Sequence, residues 1–227
     1  MKPSPVPQCR YVAMIALCTL APIILPTPAY AQELSLNAQL LMAAKNGDEA
    51  TVRRVLAAGA QPNSRNRAGD SPLLLFSKGG NLGMVNLLIE NGADVNQPNI
   101  AKVTPLMAAV FAAQLEIVRT LLDHHADPAP EDQIFKTAMI YATGQGHLKI
   151  AELLLDHGVD VNARYHHDLT ALMWAAGGAH TVTVKSLLAR GADATLRDNR
   201  GKTALAISID NGASETAAAL KAAGVTE

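Results

Sequence analysis

The stretch GHLKIAELLLDHGVDVNA, from Gly146 to Ala163, contains the pattern on which the whole chain is built. Within it, Gly158 stands where a helix is expected to end in the left-handed region, which favours a residue without a Cβ atom. The same position recurs at a constant interval along the chain, as Gly59, Gly92, His125, Gly158, Gly191 and Gly224. The sequence therefore predicts units of equal length, each closed by a helix end.

A second marker has the same period. Five tripeptides follow one another at that interval: Ser71-Pro72-Leu73, Thr104-Pro105-Leu106, Thr137-Ala138-Met139, Thr170-Ala171-Leu172 and Thr203-Ala204-Leu205. The Thr104 hydroxyl can cap a helix, and Pro105 suits its first turn because the missing N–H costs nothing there. An apolar stripe predicts a second helix in the same unit, at Leu115, Val118, Leu121 and Leu122. Each unit is thus expected to be a helix–turn–helix.

The period of about 33 residues and its two markers resemble the ankyrin repeat. The resemblance covers residues 33 to 227, in repeats at about 33–65, 66–98, 99–131, 132–164, 165–197 and 198–227. It implies an all-α solenoid of helix–turn–helix units with short β-hairpin fingers. Glu49 in the first repeat and Ser214 in the last replace the leucine of inner repeats, as expected for terminal repeats with one face in solvent.

The segment from Met1 to Ala31 predicts a secretory signal peptide. Two basic residues, Lys2 and Arg10, precede an apolar run that extends from Tyr11 to Leu25. The small-x-small tripeptide Ala29-Tyr30-Ala31 follows the run. We expect cleavage before Gln32, which leaves a repeat domain of residues 32–227 in the periplasm. The alternative is an uncleaved membrane anchor, but the run is shorter than the roughly 20 residues that span a bilayer. No stable membrane association is expected after cleavage.

Composition excludes several classes of site. The net charge of −1 gives no overall basic field for nucleic acid. Cys9 and Cys18 both lie in the predicted signal, so the mature chain would have no disulfide, thiolate metal site or cysteine nucleophile. Leu17 argues against the alternative of Cys18 as a lipoprotein acceptor. No nucleophile elbow, phosphate loop or zinc-protease motif occurs, so neither an enzyme nor a bound cofactor is predicted.

Seven histidines leave a metal or small-ligand site as an alternative function. His147 and His180 occupy the same turn position in successive repeats, and His166 and His167 are neighbours on a finger. Adjacent residues of an extended segment point to opposite faces, which disfavours a shared ion. We therefore expect solvated or turn-stabilising histidines and no metal site.

Apolar residues supply the stronger functional signal. The family's concave face is built from the fingers and the exposed side of each first helix. There the resemblance places seven candidate partner-binding residues: Ile100, Val103, Phe111, Ile134, Tyr141, Leu169 and Trp174. Charged residues occupy the corresponding positions of flanking repeats, and an apolar centre with a charged rim is typical of a protein-binding patch. The alternative is that Tyr141 and Trp174 simply pack between adjacent first helices.

The middle fingers depart from the family pattern. The finger-tip glycine remains as Gly69 and Gly201 but is replaced by Lys102, Phe135 and Asp168 between them. Such loops either carry binding residues on a rigid scaffold or have simply drifted. The sequence as a whole predicts a non-enzymatic periplasmic scaffold that binds another protein through its concave face. The alternatives are an accessory factor that stabilises one periplasmic enzyme, and a metal or small-ligand binder that uses the histidines.

Overall fold

A computed structural model describes residues 34–225, so the predicted signal peptide and its cleavage site lie outside the described residues. Within this part of the chain, twelve α-helices form six consecutive pairs. They are α1 Leu36–Asn46, α2 Glu49–Ala57, α3 Pro72–Gly79, α4 Leu82–Glu90, α5 Pro105–Phe111, α6 Leu115–Asp123, α7 Ala138–Gly144, α8 Leu148–Asp156, α9 Ala171–Gly177, α10 Thr181–Ala189, α11 Ala204–Asp210 and α12 Ser214–Ala222.

The first helices from α3 onward begin where the tripeptides predict. The Thr104 side chain accepts a hydrogen bond from the Met107 N–H (3.2 Å), and Pro105 is the first residue of α5. Ser71, Thr137, Thr170 and Thr203 cap α3, α7, α9 and α11 in the same way. Each cap satisfies one of the N–H groups that a helix leaves unpaired at its start.

A continuous core joins the pairs into a helical repeat solenoid. Each first helix packs on the first helix of the next repeat, and from α4 onward each second helix packs on the following second helix. The predicted stripe of α6 is internal, since Val118 and Leu121 are fully buried and Leu122 nearly so. No unit buries its apolar face alone, which is why stability depends on neighbouring repeats.

Five loops, which we call fingers 1 to 5, connect the repeats at residues 66–70, 99–103, 132–136, 165–169 and 198–202. They are not the β-hairpins that the family resemblance implies, because no strand occurs among residues 34–225. Each finger is closed by a bond from its first N–H to its last carbonyl, as between Asn99 and Val103 (2.9 Å). In fingers 1, 2, 3 and 5 a second bond runs from the fourth N–H to the first carbonyl, as from Lys102 to Asn99 (3.0 Å). These bonds make a tight turn but no extended ladder.

The left-handed conformation predicted at the repeat-end position of His125 is confirmed, and the structure shows the same conformation in three fingers. His125 has φ +65°, and the three residues that replace glycine in the fingers, Lys102, Phe135 and Asp168, have φ between +59° and +61°. A side chain in this region is unfavourable, and for a bulky residue such as Phe135 it is a genuine outlier. The surrounding fold must hold these residues in place.

Finger 4 is built differently from the others. In the remaining fingers the first residue is Asn or Asp, and its side chain accepts backbone N–H groups of the same finger, as Asp198 does from Arg200 and Lys202 (2.9 Å each). Finger 4 begins with Tyr165, which cannot act in this way. Without that brace, both His167 and Asp168 are left-handed, and a short 3-10 turn replaces the regular loop.

Candidate functional site

The fingers and the outward side of the first helices form one surface, which we call the finger face. One outward position of the first helices recurs once in every repeat, as Met42, Leu75, Ala108, Tyr141, Trp174 and Ile207. The two aromatic residues therefore stand in consecutive repeats, on α7 and α9. Both are partly buried, and both keep a solvent-accessible part.

Phe111, Tyr141 and Trp174 form an aromatic row on this face. The rings of Phe111 and Tyr141 meet edge to face, with centroids 5.6 Å apart and an interplanar angle of 89°. The Lys136 ammonium lies 5.4 Å from the Tyr141 ring and 5.3 Å from the Trp174 ring. Both distances are within the range of cation–π attraction, so one lysine links the two aromatic residues.

Asp132 holds this arrangement from below. Its carboxylate is 5% exposed, and Oδ1 accepts hydrogen bonds from the backbone N–H groups of Ile134 (2.9 Å) and Lys136 (3.0 Å). The Tyr141 hydroxyl donates to Oδ2 at 2.5 Å. Burial and this hydrogen bond raise the pKa of the Tyr141 phenol above its usual range. The carboxylate therefore fixes the finger backbone and the aromatic row together.

The structure groups five of the seven predicted site residues around two grooves. Val103, Phe111 and Tyr141 line the first, of about 240 Å³, together with Leu75 and Lys78. Leu169 and Trp174 line the second, of about 320 Å³, which we call the Trp174 groove. Ile100 and Ile134 line neither groove, but they are 64% and 63% exposed at the finger tips.

Sequence reasoning missed four contributors to this surface. Lys136 and Asp132 could not be placed without knowing where their finger turns. Gly144 and Gly177, in contrast, are visible in register, since the same position is Lys45, Lys78, Phe111 and Asp210 in the other repeats. Long side chains thus give way to glycine in two adjacent repeats, on either side of Trp174.

Trp174 has a polar atom without a partner. Its indole N–H is buried and has no hydrogen-bond acceptor within residues 34–225. An unpaired buried donor costs about 1–3 kcal/mol. Trp174 thus combines a solvent-accessible part with a buried indole nitrogen, and its assignment to a partner surface or to packing between first helices stays a prediction.

The histidines lie in several places, but the rings of His166 and His167 are neighbours, with centroids 3.8 Å apart, and do not point to opposite faces as the sequence predicted. His166 stacks on Phe135 with ring centroids 4.2 Å apart, His180 Nε2 lies 3.0 Å from the Gly144 carbonyl, and His157 Nε2 lies 3.5 Å from Asp123. Among the described residues, no group of three or more histidine, cysteine, aspartate or glutamate side chains is arranged to hold a metal ion. The arrangement provides turn and loop contacts.

A third hollow, of about 360 Å³, lies beside Tyr165 rather than on the aromatic row. Pro128, Glu131, Asp160 and Arg164 contribute to its lining. Burial raises the pKa of the Tyr165 phenol to about 12. Tyr165 is the first residue of finger 4, so its ring occupies the place that an Asn or Asp side chain has in the other fingers.

Comparisons with known families agree with the period. The family model for ankyrin repeats (3 copies) matches residues 40–132, the model for the ankyrin repeat matches residues 136–166, and the model for ankyrin repeats (many copies) matches residues 154–208. No curated protein matches the chain. No helix between residues 34 and 225 is long and apolar enough to cross a membrane. Ankyrin repeats generally act as protein–protein interaction scaffolds and are typically non-enzymatic. With six helix pairs in register and these matches, the chain belongs to the ankyrin-repeat family.

Proposed function

We propose that the protein is a non-enzymatic scaffold in the periplasm that binds another protein through the finger face, the equivalent of the family's concave face. The observation that carries the proposal is the aromatic row. Phe111 is 54% exposed at the end of a capped helix, where a smaller or polar residue would serve the fold equally well. Exposed apolar surface with a polar rim supports an interaction site.

The composition of the row fits the energetics of protein recognition. Tyr and Trp are enriched among the residues that contribute most to interfaces. Phe111 and Tyr141 hold each other edge to face, and Lys136 holds Tyr141 and Trp174. Because these side chains already hold one another in place, they lose less rotamer entropy when a partner binds than mobile side chains would.

The periplasmic location rests on the N-terminal sequence alone. An apolar run that ends in Pro26 and Pro28 precedes Ala29-Tyr30-Ala31, which supports export and cleavage before Gln32. A partner would accordingly be another exported protein. An accessory factor for one enzyme remains a special case of the same function, in which a single client binds.

The test is a pair of truncations. Phe111→Ala removes an aromatic side chain of the finger face, and Val182→Ala removes an equally exposed apolar side chain on α10, a second helix (67% exposed). Protein purified after expression of the full chain is immobilised, and captured periplasmic proteins are identified by mass spectrometry. We expect Phe111→Ala to lose capture of a specific partner and Val182→Ala to retain it.

Thermal unfolding followed by circular dichroism separates binding from folding. Truncation of a binding residue costs about 2 kcal/mol or more in affinity, whereas truncation of a core phenylalanine costs about 3–5 kcal/mol in stability. Phe111→Ala should keep nearly the wild-type melting temperature. A large drop in that temperature, with capture unchanged, would show that Phe111 belongs to the core and would refute the proposal.

A further inference from the structure

We infer that the Trp174 groove selects its partner by an apolar side chain next to an acidic one. This inference rests on the proposed function, because it specifies what the finger face recognises. Three features carry it: the groove exists because two glycines leave space, its lining contains no acid, and two positioned cations lie beside Trp174.

The space in the groove comes from glycine substitution at one register position. Gly144 ends α7 and Gly177 ends α9, where other repeats have Lys45, Lys78, Phe111 or Asp210. A side chain as long as lysine or phenylalanine at either position would extend over Trp174 or Ile207. Trp174 and Leu169, which are partly exposed, therefore border one open groove of about 320 Å³, and the buried Ile207 and Met173 complete its apolar lining.

Neither glycine is required by the backbone. Gly144 and Gly177 are absent from the positive-φ residues, unlike Gly146 in the adjoining turn. A Cβ atom on Gly144 would lie 3.5 Å from Trp174, and one on Gly177 would lie 3.4 Å from Ile207, so alanine would fit with little or no adjustment. Glycine in a helix is less favourable than alanine. The open groove, rather than local geometry, accounts for both residues.

The lining of the groove contains a positive charge and no negative charge. Arg200 is its single charged lining residue, and Asn211 is the only other residue there with a polar side chain. The Arg200 guanidinium is fixed by two hydrogen bonds to the buried Asp198 carboxylate (2.7 and 2.9 Å). Two of its five N–H donors are used in this way, so the others can bind a carboxylate of the partner.

Lys136 supplies the second cation. Its ammonium lies 5.3 Å from the Trp174 ring, and within residues 34–225 it forms no ion pair. The exposed acid of the intervening finger, Asp168, is paired with Arg164 (3.7 Å). Lys136 is thus the cation beside Trp174 that no carboxylate pairs, and Arg200, although Asp198 offsets its charge, keeps N–H donors that point to no acid of the groove lining. This arrangement favours an acidic group beside the apolar side chain.

The groove beside Phe111 does not share this charge. Its lining contains both Asp70 and Lys78, so it carries no comparable preference for the sign of a partner's charge. Phe111 can therefore contribute to binding in general, while the Trp174 groove determines which sequences bind. The two roles can be separated by mutation.

The experiment uses three pools of blocked, tryptophan-free peptides that differ only at a central pair: Glu-Leu, Lys-Leu or Glu-Ser. Binding is followed by the fluorescence of Trp174, the only tryptophan in the chain, and by calorimetry. Gly177→Leu fills the groove, and Gly177→Ala is the matched control, since its methyl group fits. Lys136→Gln removes one cation.

We expect a saturable change in Trp174 emission with the Glu-Leu pool and binding at least tenfold weaker with the other two. Gly177→Leu and Lys136→Gln should each weaken binding of the Glu-Leu pool by tenfold or more, and Gly177→Ala should not. Equal response to Glu-Leu and Lys-Leu, no response to any pool, or unaffected binding by Gly177→Leu would each overturn the inference. If Phe111→Ala abolishes partner capture while Gly177→Leu leaves it intact, the scaffold function stands and this inference alone fails.

Discussion

Asp132 connects the finger backbone to the aromatic row, so its removal should affect both the stability of the finger and the environment of Tyr141. Asp132→Ala deletes three hydrogen bonds to a carboxylate that is 5% exposed: those from the Ile134 and Lys136 N–H groups and from the Tyr141 hydroxyl. Each is worth about 1.5–3 kcal/mol. The variant also avoids the desolvation of a buried charge, which costs several kcal/mol.

The balance of these effects is a loss of about 2–3 kcal/mol in the free energy of unfolding. For a domain of this size, that corresponds to a melting temperature lowered by about 4–12 °C. Asp132→Asn should cost about 1 kcal/mol or less, because its amide oxygen can still accept both backbone bonds. The chain contains the precedent: Asn66 accepts the N–H groups of Ala68 (2.8 Å) and Asp70 (2.9 Å) at the same position of finger 1.

Two measurements check this reasoning. Thermal unfolding by circular dichroism ranks the two variants, and phenolate absorbance during alkaline titration reports on Tyr141. Because burial and the Asp132 hydrogen bond raise the pKa of Tyr141, that pKa should fall in Asp132→Ala. Equal stability of Asp132→Ala and the wild type, or an Asn variant as unstable as the Ala variant, would refute the role of the carboxylate as the finger's acceptor.

Three further predictions follow from single residues. His125→Gly should leave stability unchanged or raise it by up to about 1 kcal/mol, because it relieves a left-handed residue whose side chain makes no hydrogen bond within residues 34–225. The control Ala218→Gly, the same type of change inside exposed α12, should lose about 1 kcal/mol in chemical denaturation. Burial alone would raise the pKa of Asp198, but hydrogen bonds from Lys202 and Arg200 outweigh it and lower that pKa below 3.8. The carboxylate therefore stabilises the fold above about pH 4, and this contribution is lost as pH falls through the folded pKa. Asp198→Asn should be less stable than the wild type at neutral pH, and melting temperatures measured between pH 7 and about pH 2 should converge as acid is added. N-terminal sequencing of exported protein should begin at Gln32, and an intact Met1 species in the membrane would contradict this.

The helix pairs could be predicted from the sequence because their causes are local. Thr104 and Pro105 specify a helix start, and the left-handed conformation of His125 follows from its register with glycines. The β-hairpins are not observed among residues 34–225, because each finger turns within five residues and its few backbone bonds form no extended ladder, which the sequence does not reveal. The expectation of hairpins came from the resemblance to a family, and the structure has five short loops in their place.

The candidate site was predictable only in part, for a related reason. The positions of Phe111 and Trp174 on the finger face follow from helical register. The position of Lys136 between two rings and that of Asp132 beneath them depend on tertiary contacts between a finger and α7. The replacement of larger residues by Gly144 and Gly177 can be read from the sequence register. Its relevance to function depends on the structure, in which Trp174 and Ile207 border the space that the two glycines leave.

Tyr165 at the base of finger 4 has a consequence for the mechanics of the molecule. Backbone bonds of 3.0 Å connect finger 1 to 2 (Ile100 N–H to Ala68), 2 to 3 (Gln133 to Ala101) and 4 to 5 (Asn199 to His167), but within the described chain none connects fingers 3 and 4. The stacked rings of Phe135 and His166 bridge that step instead. The row of backbone bonds is therefore interrupted between fingers 3 and 4, beside Tyr141 and Trp174. Because a change in the distance between these two fingers would break no backbone bond between them, we expect this step to resist a change of curvature less than its neighbours do.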